Sequence, residues 1–137
     1  MRDPGYEREW CLQAGREAGQ WGHIVERFTD EVFRRLMHGA REYGEDSFMD
    51  KPVSELIAEK AEEGADAAAW GVLISQRLRS EELADDDVGA EIQLLLVSAA
   101  GDALNLWRKM ERAGYLYRTE AHAVGHRRAV RAQNSVP

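Results

Sequence analysis

Residues 55 to 74 read Glu-Leu-Ile-Ala-Glu-Lys-Ala-Glu-Glu-Gly-Ala-Asp-Ala-Ala-Ala-Trp-Gly-Val-Leu-Ile, and their periodicity decides the fold. An α-helix turns about 100° per residue, which places Glu55, Glu59, Glu62, Glu63 and Asp66 within an arc of about 100°. Trp70, Leu73 and Ile74 continue that arc, so the spacing predicts an acidic stripe whose downstream end is core. Gly64, Ala68, Gly71 and Ser75 share the opposite face, where small side chains let another helix approach closely, within the subunit or across a dimer. Carboxylates on a partly desolvated face repel one another unless protons or a cation neutralise them, and a hard divalent cation held by oxygens does so. A merely solvated charged face would need counter-charges, yet Lys60 is the one basic residue among these acids.

On either side of this stretch the periodicity stays helical. Upstream, Pro52 and Gly44 punctuate a loop over 42–52, and Ser54 is placed to cap the acidic helix, which runs to about Arg79. Before the loop, Val25, Phe28, Val32, Phe33, Leu36 and Ala40 recur at helical spacing and predict a helix over 22–42. A short helix between Tyr6 and Ala18 precedes it. Downstream, residues 80–87 form an acidic connector in which Asp87 is a fair cap. Val88, Ile92, Leu95, Ala99, Ala103, Leu106 and Met110 then mark a helix over 88–113, with Gly114 as its stop signal. Beside that stripe runs a polar file of Glu91, Ser98, Asp102, Asn105 and Lys109. No stretch alternates apolar and polar residues as a strand does. The expected architecture is all-α, a bundle of about four helices. Residues 1–21 form an N-terminal segment with a short helix, 22–114 the helical core, and 115–137 a basic, partly disordered tail.

Composition narrows the function. The 137 residues carry a net charge of −7, which argues against a nucleic-acid partner and against an anionic membrane surface. The single cysteine, Cys11, has no internal partner and reads as a small buried apolar residue. With no bilayer-length apolar run and no signal-peptide core, the expected location is cytoplasmic.

Helical carboxylate sites come in few kinds. Di-iron bundles use Glu-x-x-His pairs, and no Glu in this chain is followed three residues later by His. Glu62-Glu63-Gly64-Ala65-Asp66, continued by Ala67, Ala68, Ala69 and Trp70, instead resembles the Glu-x-x-Asp motif of the all-α nucleoside triphosphate pyrophosphohydrolases, the MazG-like proteins. The run from Tyr43 to Phe48 ahead of the acidic helix looks like the compact members encoded by bacteriophages. The resemblance covers about residues 22–112. That family pairs the motif with a Glu-x-x-Glu motif, and two assignments fit: Glu59 with Glu62, which we favour, or Glu42 with Glu45.

The resemblance implies hydrolysis of a (d)NTP to the monophosphate and pyrophosphate with Mg2+, or Mn2+ in its place. It implies Glu59, Glu62, Glu63 and Asp66 as metal ligands, with Glu45 in reserve. Glu62 and Glu63 are the candidate catalytic carboxylates. A triphosphate also needs cations at its outer phosphates, for which Lys51, Lys109 and Arg108 are candidates. Trp70 is placed to stack on a base, and Asp102 and Asn105 to read one, although a core tryptophan and boundary polar residues account for the same pattern. Little encloses such a site in one subunit, so a homodimer or dimer of dimers is expected. The alternatives are a MazG-like bundle that binds nucleotide or metal without turnover, and a structural interaction protein.

Overall fold

A computed structural model describes residues 3–43, 51–83 and 86–135. All its regular elements among these residues are helical: α1 (Pro4–Glu17), α2 (His23–Tyr43), α3 (Val53–Ser80), α4 (Asp87–Leu116) and α5 (His122–Asn134), with a π-helical turn at Tyr117–Ala121 joining α4 to α5. The all-α architecture is therefore as the periodicity indicated. The chain forms two compact units, Met1–Lys51 and Pro52–Pro137.

In the first unit, Asp3 caps α1 by accepting a hydrogen bond from the Tyr6 amide at 3.1 Å, and Pro4 opens the helix with φ already set. Gly19 and Gly22, at φ 68° and 70°, turn the chain back without the Cβ penalty of the left-handed region. Gly15 then lies against α2 so closely that a Cβ there would sit 2.8 Å from Val25 Cγ2. Cys11 and Val25 are buried in this small seam, as expected of a small apolar cysteine. Thr29, also buried, satisfies its hydroxyl by donating to the Val25 carbonyl at 2.7 Å. On the outer side of α2, Glu31 accepts from both Arg34 and Arg35, and the Arg34 hydrogen bond holds its carboxyl below the usual range.

In the second unit, α3 and α4 form an antiparallel hairpin. Its register is fixed by Ile57 against Gly114, Gly64 against Ala103 and Ser75 against Gln93. At Gly64 a Cβ would lie 3.0 Å from the Ala103 carbonyl oxygen, so the glycine is what permits the approach. The small-residue face of α3 thus meets α4 within the subunit at Gly64 and Ser75.

Four details differ from the expected ones. Ser54 does not cap α3: Pro52 occupies the N-cap position with no side-chain hydrogen bond, and the helix starts two residues earlier, at Val53. Asp86, not Asp87, caps α4 through the Val88 amide at 2.9 Å. Gly114 does not stop α4 but is buried within it, leaving room for Ile57 and Arg118. Beyond it the chain stays helical to Asn134 despite its poor apolar periodicity. Glu45 lies outside the described residues.

Replacing Gly64 by Val should lower stability by roughly 1–3 kcal/mol, because the added atoms meet backbone that cannot yield. Gly101→Ala, on the same hairpin but with open space around it, should raise stability by about 0.5–1 kcal/mol. Thermal unfolding followed by circular dichroism checks both signs. Equal tolerance of the two changes would mean that the hairpin does not close at Gly64.

Candidate functional site

With Gly64 turned towards α4, the helical repeat fixes where every other side chain of α3 points. The five acids fall on the far side, away from α4. Water reaches Glu55, Glu62, Glu63 and Asp66, while Glu59 is half-buried. The desolvation expected of this face is therefore absent from the single chain. The reason is visible one turn on: Trp70, Leu73 and Ile74, expected to be core, are 67%, 55% and 44% exposed. A two-helix hairpin has one seam, and α3 turns Gly64, Ala61 and Ser75 towards it, with Gly64 the buried one.

The stripe divides at its edges. Glu62 turns to one flank of the hairpin, where it lines a cleft of about 550 Å³ with Ser54, Ala58, Trp107, Glu111 and Arg118. Trp107 donates its indole N–H to Glu111 there. Glu59, Glu63 and Trp70 lean to the opposite flank, the side on which α4 carries Asp102 and Lys109. Among the described residues, no three His, Cys, Asp or Glu side chains converge to hold a metal ion. The oxygen donors suit magnesium in kind, but the described part of one chain does not gather them into a coordination sphere.

The polar file of α4 faces outward as well. Asp102, Asn105 and Lys109 are exposed, and Asn105, Arg108, Lys109 and Arg112 line an open depression of about 480 Å³ on the side away from α3. Lys51 is half-buried at the end of the first unit. Of the residues singled out from the sequence, one chain thus brings together the α3 carboxylates on one face and Asn105 with Lys109 on another. Glu111 and Trp107 were missed as a pair, although their spacing of four residues on a helix is the signal that two side chains meet.

A second groove, about 320 Å³, runs between the far halves of α3 and α4. Ala68, Gly71 and Val72 form one wall, and Leu96, Val97 and Ala100 the other. At its base the Ser75 hydroxyl donates to Gln93 Oε1 at 2.7 Å, and Gln93 Nε2 donates to the Ser75 carbonyl at 3.4 Å. This exchange satisfies both side chains where they meet between the helices.

No helix among the described residues is long and apolar enough to cross a membrane. Compared with known proteins, the chain matches no protein-family model, no curated protein and no solved structure.

Because like charges three and four residues apart repel on a helix, the stripe strains α3 when nothing neutralises it. Glu63→Gln with Asp66→Asn should raise the melting temperature of the metal-free protein at low salt. The gain should vanish at molar salt, where screening already removes the repulsion. A melting temperature unchanged at low salt would mean that the acids do not repel measurably.

Proposed function

We propose that this chain is a magnesium-dependent nucleotide pyrophosphohydrolase of the MazG-like kind, converting a (d)NTP to the monophosphate and pyrophosphate, with manganese able to replace magnesium. The observation that carries this reading is the acidic face of α3. It points away from the helix that α3 packs on and runs directly into exposed Trp70, Leu73 and Ile74. Oxygen donors on successive turns beside an unburied apolar surface are what half of a shared site looks like.

The exposed apolar side chains support a second copy: Trp70, Leu73 and Ile74 lie together on one face of α3 at 67%, 55% and 44% exposure. Leu94 and Val97 on α4, 73% and 70% exposed, add further uncovered apolar surface on the other helix. A homodimer or dimer of dimers would supply the carboxylates that one chain does not bring together.

In this reading Glu59, Glu62, Glu63 and Asp66 would hold the ion together with their counterparts from a second copy. The bound ion supplies the positive charge that a triphosphate requires inside an acidic pocket. Whichever of Glu62 and Glu63 keeps a free oxygen takes the proton from the attacking water. Trp70, which continues the same face, would stack on the base. The alternative is a structural interaction protein, or a bundle that binds nucleotide without turnover. The exposure of four of the five acids in the single chain favours the structural form of it.

Pyrophosphate release from a panel of NTPs and dNTPs with magnesium tests the proposal. Wild type should turn over at least one of them, and Glu63→Gln or Asp66→Asn should lower the rate by about 10²-fold or more. Magnesium should also raise the melting temperature, since a ligand that binds only the native state stabilises it. No release from any nucleotide, together with an unshifted melting temperature, would establish the structural alternative.

A further inference from the structure

The net charge of −7 averages over two very different regions. Residues 105–137 contain seven Arg and Lys against two Asp and Glu, a balance of +5, which leaves −12 for residues 1–104. The positive charge is concentrated in two short clusters of one pattern, Arg108-Lys109-x-x-Arg112 and Arg127-Arg128-x-x-Arg131, 19 residues apart. In each cluster the three cations span about 100° of a helix face.

Whether the clusters share a face depends on what lies between them. In an unbroken α-helix, 19 residues would turn the second cluster about 100° away from the first, because five full turns take about 18 residues. The helix is not regular there. Tyr117–Ala121 form a π-helical turn between α4 and α5, and such a turn takes up one extra residue. The remaining 18 residues bring Arg127, Arg128 and Arg131 back to the azimuth of Arg108, Lys109 and Arg112. The two triads then lie roughly 27 Å apart along one helical rod.

The six cations are also free of ion pairs among the described residues. All are exposed. Elsewhere Arg16 pairs with Glu9, Arg34 and Arg35 with Glu31, and Arg77 with Glu81. Arg112 stacks over the Tyr115 ring at 5.5 Å, which orders its stem and leaves its guanidinium edge free to donate.

We propose that this basic face, aligned by the π-turn, binds the phosphodiester backbone of a nucleic-acid duplex, independently of the carboxylate face of α3. Two triads about 27 Å apart reach phosphates roughly eight base pairs apart, and contacts of this kind read charge and spacing rather than sequence. An anionic membrane fits less well. A helix that lies in a lipid interface needs bulky apolar side chains opposite its cations, and Val130 is the one apolar side chain larger than alanine among the described side chains of α5.

Fluorescence anisotropy of the full chain with 20-base-pair DNA and RNA duplexes over a salt series tests this. With six phosphate contacts, affinity should fall about 10³-fold between 50 and 200 mM salt, and with three contacts about 40-fold. Arg127→Ala with Arg128→Ala and Arg131→Ala should therefore weaken binding and flatten the salt dependence to the smaller value, with helix content by circular dichroism unchanged. Two length variants probe the register. Deleting Thr119 removes the extra residue and leaves an ordinary α-helix with the triads still aligned, so binding should persist. Inserting an alanine after Thr119 turns the second triad about 100° and should weaken binding as the triple substitution does. Preference between DNA and RNA shows which duplex is the partner. Absence of binding to both at low salt, a salt dependence unaffected by the triple substitution or the insertion, or tighter binding to phosphatidylserine vesicles than to either duplex would overturn the proposal.

Discussion

The second unit depends on one close approach, the backbone of α3 at Gly64 against the carbonyl of Ala103 on α4. Two helices of this length can bury only one stripe each, and the stripe that α3 buries is the one made of its smallest side chains. Everything bulky or charged on α3 is consequently turned outward. That single choice places Glu59, Glu62, Glu63 and Asp66 at the surface. It also exposes Trp70, Leu73 and Ile74, and sends the polar file of α4 to the side away from its partner.

Such a hairpin is poorly covered for its length. The hydrophobic residues it leaves in water are the type that drive association, and they are continuous with the acids along one face of α3. Apolar surface and oxygen donors side by side give a second copy both a reason to bind and something to complete. The same geometry explains why the carboxylates of one chain, although well chosen in chemistry for a hard cation, are not gathered around one point.

Much of this was legible in the sequence. The helices expected over 22–42, from Ser54 to about Arg79 and over 88–113 follow from apolar spacing and correspond to α2, α3 and α4, whose ends differ by a few residues, and the two faces of residues 55–74 follow from counting in steps of 100°. What periodicity does not carry is whether an apolar face is covered by the same chain, so Trp70 and Leu73 read as core although water reaches them. Local signals misled where tertiary contact outweighs them. Gly114 has the look of a terminator but serves as a gap for Ile57 and Arg118, and Ser54 is a good cap beside a proline that starts the helix first. Whole-chain charge outweighed the last quarter, whose basic tail was legible as such. The π-turn that aligns its arginines has no residue signature, being an accommodation of length.

The central claim is that the α3 face from Glu59 to Ile74 is completed by a second copy, and the mass of the particle in solution tests it most directly. Sedimentation equilibrium at micromolar concentration should give a dimer or a dimer of dimers of the 15.5-kDa chain, and Leu73→Glu should shift it to monomer with a lower melting temperature. A wild-type monomer that unfolds cooperatively, with Leu73→Glu no less stable, would contradict the account.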